Sequence, residues 1–262
     1  MNYKQFFLSK KNLDLVLKNL PQIICLAFIL ILAIKLRVDG TFVSDNMGQH
    51  FYYESLNIAE GYRLPLAGIH ISFGGFIGPL SYYIGAIPLI FVKSVYAMSF
   101  FIALLNLFAI ILSYVLVKRY FGSTAALTSS FLITVSSSAV FFSKRIHNTS
   151  LMPFFIVLLL YTLLRVIVDK DSKNLVLAAV ASAVLIQLHL YGAIFIILTI
   201  MLLLIFRPPV NHRHVIAAII VFIFLHTPLL LFEVSHGFEN TSAVYNGLTH
   251  TTKSVSSYEP GG

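Results

Sequence analysis

A lone aspartate, Asp45, opens a polar segment directly after the first long apolar run of the chain. The residues from Asn46 to Glu60 follow with helical spacing, which predicts an amphipathic surface helix with Ser44 as its N-cap. The apolar side of this helix is expected to carry Met47, Phe51, Ile58 and Ala59. A carboxylate in the first turn is stabilised as the anion by about 0.3 to 1 kcal/mol. Asp45 is therefore a candidate base or ligand, and the alternative is an ordinary helix-start aspartate.

A basic segment, Ser143 to Asn148, lies between two later apolar runs. Arg145 can hold a phosphate through two parallel hydrogen bonds, and Lys144 adds a point charge beside it. The alternative is that both side chains extend from the membrane edge toward water, as juxtamembrane basic residues commonly do. The segment is a candidate anion site.

Two pairs of polar residues are candidates for a supporting role. His50 and Glu54 lie on the polar stripe of the predicted surface helix, where a solvated face is the alternative. His189 and Tyr191 lie within apolar sequence, where a polar side chain must find a partner or a water-lined cavity. A hydrogen bond between helices is the alternative for this second pair.

Glu233 and His236 end the last apolar run. An acid beside a histidine can form an acid–base pair, a metal site or a simple end-cap. No His-x3-His or cysteine pattern supports zinc, so we expect no metal.

The elements that must position these residues are membrane helices. The 262 residues are 58% hydrophobic and only 11% charged, with a mean hydropathy of +0.88. We predict an all-α integral membrane protein: a polytopic bundle of about seven transmembrane helices, forming a single module over residues 1–262, with the amphipathic juxtamembrane helix in an external loop at 39–94. The predicted spans are 20–38, 95–117, 123–142, 150–168, 175–189, 191–206 and 215–235.

Charge placement favours seven crossings over eight. Phe76 to Val92 is apolar but short and contains two prolines, so we interpret it as an interfacial or re-entrant helix. With seven crossings, 11 of the 18 Lys and Arg residues face the cytoplasm, whereas eight crossings leave only eight there. The prediction is a multi-pass plasma-membrane protein with a cytoplasmic N-terminus and an external C-terminus. The basic residues are scattered between apolar runs, which argues against a nucleic-acid partner.

Together these segments resemble the GT-C membrane glycosyltransferases. The similarity is strongest to the branch of dolichyl-phosphate-mannose-protein mannosyltransferases and lipid A aminoarabinose transferases, and it is carried by Asp45, Gly78 to Tyr83, Ser143 to Asn148, Gln187 to His189, and Phe232 to Gly237.

The resemblance implies sugar transfer from a polyprenyl-phosphate donor to a protein, lipid or polysaccharide hydroxyl. Asp45 would be the base or would orient the acceptor. Arg145, with Lys144 and Asn148, would hold the donor phosphate. Such a donor carries its own leaving group, so we expect no nucleotide or redox cofactor.

The chain departs from the family pattern in three places. Asn46 stands where protein mannosyltransferases carry a second acid, and His147 and Asn148 stand where relatives often place an aspartate. Full-length relatives continue through further helices and a soluble region, so we expect a fragment or a minimal core. The alternatives to an enzyme are a non-catalytic fragment or subunit, and a lipid or sugar transporter, although transporters usually place ionisable residues at mid-membrane.

Overall fold

The computed structural model describes residues 10–38, 43–72 and 74–249. The described residues are 80% helical, which confirms the predicted all-α class. It divides into two compact units, Met1–Val43 with Ser99–Arg145, and Ser44–Met98 with Ile146–Gly262. We call them the first and second unit. The single-module interpretation stays a prediction.

Eleven α-helices and four two-residue strands lie within the described ranges. The helices are α1 (Lys10–Val38), α2 (Asn46–Ala59), α3 (Leu80–Phe91), α4 (Val95–Phe121), α5 (Ser123–Val135), α6 (Ser137–Lys144), α7 (Met152–Ile167), α8 (Asn174–Leu188), α9 (Ala193–Phe206), α10 (His212–Ser235) and α11 (Glu239–Thr249). The strands are β1 (Val43–Ser44), β2 (His70–Ile71), β3 (Gly75–Phe76) and β4 (Arg145–Ile146).

Four helical segments in the described part of the chain are long and apolar enough to cross a membrane: Asn19–Val38, Val95–Phe121, Asn148–Ile167 and His212–Ser235. A fifth arises if α5 and α6, bent by 59°, form one span. The predicted run at 123–142 is thus broken at Ser136. The predicted spans 175–189 and 191–206 are separate helices in the structure, because α8 ends at Leu188 and a 3-10 turn precedes α9. Since α3, α8 and α9 are shorter, the count of seven stays a prediction.

In the first unit, α1 packs against α5 and α6. Ala33 of α1 shares a buried core with Leu107 and Ile110 of α4. Arg37, near the end of α1, is 4% exposed. Its Nη1 and Nη2 atoms donate to the carbonyls of Thr134 at 3.1 Å and Ile133 at 3.0 Å. These carbonyls belong to the last turn of α5, which has no intrahelical donors for them. Arg37 therefore supplies hydrogen-bond donors to the last carbonyls of α5, just before the bend between α5 and α6.

We expect Arg37→Met to lower the free energy of unfolding by about 1 to 3 kcal/mol for each carbonyl that it leaves buried without a donor. The measurement is the apparent melting temperature of the purified protein in detergent. Lys35→Met is the matched control, because Lys35 lies on the same helix and is exposed. Equal melting temperatures for the two variants would contradict the role assigned to Arg37.

In the second unit, α8 packs against α7 and α10, its two principal partners. A core of Leu159, Leu163, Ala178, Ala181 and Leu185 lies between α7 and α8. Small side chains on α8 let the neighbouring helices approach closely.

One buried amide fixes α8 against its surroundings. Gln187 is 1% exposed, and its Nε2 donates to the Leu225 carbonyl of α10 at 3.0 Å. A Cβ added to Gly78 would overlap the Gln187 side chain. The end of α8 is thus held from two sides, which positions the turn that follows it.

The first external loop of the predicted topology is also ordered by packing. Helix α2 packs against α3, and a Cβ on Gly85 would press on the side chains of Ser55 and Phe51. Strands β2 and β3 form an antiparallel hairpin that pairs His70 with Phe76 and Ile71 with Gly75.

The buried face of α2 differs from the predicted one. It consists of Gly48, Phe51, Glu54 and Ser55, whereas Met47 is 47% exposed. The alternative of a solvated face does not hold for Glu54, because this carboxylate is buried and pairs with Arg63.

Candidate active site

A polar cavity of about 540 Å³ lies in the second unit, where the hairpin, the start of α7 and the α8–α9 turn meet. Its walls come from three chain segments and from Met47 of α2. Of the predicted site residues, it collects Asn148, His189 and Tyr191. The lining residues are Met47, Ile69, His70, Ile71, Ser72, Ile77, His147, Asn148, Thr149, Leu188, His189, Leu190 and Tyr191.

Asn148 is the most buried polar residue of this cavity, at 3% exposure. Its Nδ2 donates to the Leu188 carbonyl, which ties the start of α7 to the end of α8. Its Oδ1 is buried without a hydrogen-bond partner. An unsatisfied buried acceptor costs about 1 to 3 kcal/mol, so a ligand that donates to it gains that energy back. An oxygen acceptor suits a hydroxyl rather than the phosphate that we predicted for Asn148.

His147 and His189, which both line the cavity, share one local geometry. Their backbone angles are φ −161°, ψ 147° and φ −162°, ψ 143°, and a short 3-10 turn follows each. In each, Nδ1 accepts from the backbone N–H two residues ahead, at 3.2 Å. Because a backbone N–H is always a donor, Nδ1 must be unprotonated, and the proton of the neutral ring lies on Nε2.

Because Nδ1 of His189 accepts from the Tyr191 backbone N–H, this side chain can donate a hydrogen bond through Nε2. Its Nε2–H is a donor, and its ring lies 4.8 Å from the exposed Tyr191 ring, centroid to centroid. Sequence reasoning assigned no role to His147. The signal that could have found it is its position directly before a helix start, as at His189.

Asp45 itself, rather than Ser44, is the N-cap of α2. Its Oδ1 accepts from the Gly48 backbone N–H at 2.8 Å, and its side chain is half-buried. Asp45 does not line the 540 Å³ cavity, but Met47 in the first turn of its helix does. The helix-start geometry is thus present, and the catalytic role stays a prediction.

Gly48 sets the position of this turn. It is buried, and a Cβ there would overlap the carbonyl oxygen of Ile146 and lie 2.9 Å from Ser44 Oγ. The start of α2 therefore lies directly on the backbone that leads into His147. Only glycine permits this approach.

We expect Gly48→Ala to lower the free energy of unfolding by about 1 to 3 kcal/mol, because the added methyl group must displace backbone. In an exposed helix the same change raises the free energy of unfolding by roughly 0.5 to 1 kcal/mol. The sign of the change in this free energy therefore distinguishes a crowded Gly48 from an exposed one. The measurement is the apparent melting temperature, with exposed Gln49→Ala in the same turn as the control. A variant that is as stable as the wild type would show that α2 can shift without cost.

Glu54 and His50 lie outside the cavity. Glu54 is 6% exposed, forms an ion pair with Arg63 and lies 4.0 Å from His50 Nδ1. The hydrogen bond from Arg63 to Glu54 raises the pKa of the Arg63 guanidinium. Tyr82, 1% exposed, packs edge-on against His50. This cluster braces α2 against α3 and the loop between them.

Glu233 and His236, for which an acid–base pair is one alternative, have different hydrogen-bond partners in the described structure. Glu233 accepts from Asn240 Nδ2 at 2.8 Å and from Thr241 Oγ1 at 2.9 Å, so it holds the start of α11. Asn240 in turn accepts from the Phe76 backbone N–H of the hairpin. His236 is exposed and stacks on Phe232, with 4.1 Å between ring centroids. Glu233 thus holds the start of α11, and its supporting role at the site stays a prediction.

Lys144 and Arg145 belong to the first unit, where Lys144 is the last residue of α6. The Arg145 guanidinium carbon lies 5.9 Å from the centroid of the Phe141 ring. Their phosphate role stays a prediction. In the described ranges, no three His, Cys, Asp or Glu side chains lie close enough to hold a metal ion, and the metal-free site also stays a prediction.

Comparison with known protein families gives a match over the central part of the chain. The family described as dolichyl-phosphate-mannose-protein mannosyltransferase matches residues 79–232, which is more than half of the chain. The matched region includes α3, the basic segment, Asn148 and the α8–α9 turn. No curated protein and no solved structure matches the chain.

Proposed function

Because the chain belongs to the dolichyl-phosphate-mannose-protein mannosyltransferase family, we propose that it moves a sugar from a polyprenyl-phosphate donor to an acceptor hydroxyl at the external face of the plasma membrane. Family membership establishes a GT-C type glycosyltransferase with membrane helices. The donor, the acceptor class, the inverting course and the external face are the proposal. The acceptor is a protein, lipid or polysaccharide hydroxyl.

The observation that carries the proposal is the cavity that brings Asn148, His189 and Tyr191 together. Its volume of about 540 Å³ lies within the roughly 300 to 1,000 Å³ of ligand pockets. One buried acceptor and one imidazole donor face a mixed polar and apolar wall. This combination suits a ligand that carries both hydroxyl groups and an anionic oxygen.

In the proposed reaction, the acceptor oxygen attacks the anomeric carbon from the side opposite the lipid phosphate. A carbon–oxygen bond forms to the acceptor, and the bond between the anomeric carbon and the phosphate oxygen breaks, with its electron pair staying on the phosphate. The hydroxyl proton passes to the Asp45 carboxylate. Asp45 is held as the anion by the N-terminus of α2. Inversion follows from the single displacement.

The cavity residues would act on the two partners of this displacement. The Nε2–H of His189 would donate to a phosphate oxygen as negative charge grows on it, which stabilises the transition state more than the ground state. Asn148 Oδ1 would accept from a sugar or acceptor hydroxyl. The phosphate roles of Lys144 and Arg145 rest on their basic side chains and on the family resemblance. The activated phosphate leaving group makes a nucleotide or redox cofactor unnecessary.

The test is sugar transfer by the purified protein in liposomes. We expect transfer from polyprenyl-phosphate sugars and none from the corresponding nucleotide sugars, offered with peptide, lipid and polysaccharide acceptors. The anomeric configuration of the product is read by NMR and is expected to be inverted. Transfer from a nucleotide sugar, or a retained configuration, contradicts the proposal. The choice of acceptor identifies the class that the sequence leaves open.

A further inference from the structure

A second cavity lies in the second unit at the far end of α8 from the candidate active site. It is a groove of about 350 Å³ between α8, α9 and α10, with walls that include Ala178, Ile200, Ala218 and Phe222. Its α8 residues run from Leu175 to Ser182, whereas the active-site cavity begins at Leu188. The two cavities are therefore separate.

The groove is suited to a hydrocarbon chain. Apart from Ser182 and Thr199, its lining side chains are apolar, and the Thr199 hydroxyl already donates to the Phe195 carbonyl at 2.7 Å. A narrow apolar groove between membrane helices gains stability when an acyl chain fills it, because unfilled space forfeits dispersion contacts.

Basic residues lie close in the chain to the groove residues, in the loops before α8 and α10 and in the first turn of α10. We call this region the basic end, defined by Lys170, Lys173, Arg207, His212, Arg213 and His214. Two wall residues, Leu175 and Val215, lie within two positions of Lys173 and Arg213 along the chain. Ser172 Oγ lies 2.8 Å from His214 Nδ1, which holds the loop before α8 against α10.

The acidic residues of this region are already bound. Asp169 and Asp171 pair with Arg165 at 3.3 Å and 2.6 Å. Lys173 and Arg213 are exposed, and the described residues include no ion pair for either. The basic end thus keeps an excess of positive charge in the segments that adjoin the apolar groove.

We infer that this groove binds an anionic phospholipid, with an acyl chain between α8, α9 and α10 and its phosphate against Lys173 and Arg213. Basic pockets between helices on the cytoplasmic side are suited to anionic headgroups. The predicted topology places the basic end in the cytoplasm, where anionic lipids concentrate. The positive-inside rule alone explains why basic residues are found in the predicted cytoplasmic loops. It does not explain why they adjoin the residues of an apolar groove. This site does not depend on the proposed sugar transfer.

The protein contains no tryptophan, so all tryptophan fluorescence of a variant with one introduced tryptophan comes from that position. Phe222→Trp places the reporter in the groove wall. Phe224→Trp places it at a residue of α10 that is 71% exposed, as the control for contact with bulk lipid. Each variant is reconstituted in mixtures of phosphatidylglycerol and phosphatidylcholine in which one lipid at a time carries brominated acyl chains. Bromine quenches tryptophan only on contact.

At the groove reporter, we expect quenching of tryptophan fluorescence to show that phosphatidylglycerol is bound about five- to tenfold in preference to phosphatidylcholine. At the control reporter, we expect the two brominated lipids to quench equally. In the Lys173→Gln/Arg213→Gln variant the preference should fall toward one, and Lys173→Arg/Arg213→Lys should keep it. Native mass spectrometry of the otherwise unchanged protein gives a second measurement, as retained phosphatidylglycerol.

Three results would overturn the inference. The first is equal quenching by both lipids at the groove reporter together with no retained phosphatidylglycerol. The second is a preference that survives the double glutamine substitution. The third is displacement of brominated phosphatidylglycerol by a polyprenyl phosphate at lower concentration than by phosphatidylglycerol itself, which would assign the groove to a prenyl tail.

Discussion

The Asp45→Asn variant is expected to fold like the wild type and to transfer sugar about 10² to 10⁴ times more slowly. The substitution removes the carboxylate that accepts the proton but keeps the side-chain oxygen that caps α2. Asparagine and aspartate are about equally good N-caps. The Gly48 N–H therefore keeps its acceptor, and the rate change reports on the charge alone.

Two companion variants separate the structural role of Asp45 from the catalytic one. Asp45→Ser retains the cap and should match Asp45→Asn in both stability and rate. Asp45→Ala loses the cap, so it should show the same rate defect and a further loss of about 0.5 to 2 kcal/mol in the free energy of unfolding. The rates are measured as kcat and KM with a saturating acceptor, and the stabilities as apparent melting temperatures.

If Asp45→Asn and Asp45→Ser transfer sugar at close to the wild-type rate, Asp45 is a helix cap and nothing more. The same three variants also distinguish an enzyme from a non-catalytic subunit, since a subunit would show the stability pattern without any rate to lose. A defect confined to Asp45→Ala would assign the whole effect to the loss of the cap.

Local sequence patterns predict the helices of this protein well, because an apolar run is itself the physical requirement for a membrane helix. The break between α8 and α9 is readable for the same reason, since Gln187, His189 and Tyr191 interrupt the run. The bend at Ser136 is not predictable from the local sequence, because Arg37, which donates to the last carbonyls of α5 beside it, lies 97 residues away from Thr134 in the chain.

The site is predicted less completely, because its geometry depends on long-range partners. Asn148 and Leu188 are 40 residues apart, yet one hydrogen bond joins them and forms a cavity wall. The partners of Glu54 and Glu233, namely Arg63 and Asn240, carry no signal that links them to these acids. A carboxylate beside a helix end looks the same in sequence whether it binds a substrate or a neighbouring backbone.

The second large effect is expected at Asn148. Asn148→Asp keeps the shape and the oxygen atom but removes the donor to the Leu188 carbonyl, and at neutral pH it places a charge in a site that is 3% exposed. We expect a loss of about 1 to 3 kcal/mol in the free energy of unfolding. Transfer should fall about 10²-fold, because the start of α7 and the α8–α9 turn lose their connection.

This defect should be reversible with acid. Protonation removes the introduced charge and supplies an O–H donor for the Leu188 carbonyl, which restores the lost hydrogen bond. The ratio of variant to wild-type rate, and the difference in melting temperature, should therefore recover as the pH falls from about 8 toward 5. Taking the ratio at each pH cancels the protonation of Asp45, which both proteins share.

Asn148→Leu is the matched control, since it has a similar volume and nothing to protonate. Its defect should be constant over the same pH range. If Asn148→Asp is as stable and active as the wild type at pH 8, the bond to Leu188 does not organise the cavity. If both variants show the same flat pH dependence, acid does not restore the defect of Asn148→Asp, and the loss does not come from the missing donor. An acid-dependent recovery in Asn148→Asp alone would establish that this single amide holds the two walls of the candidate active site together.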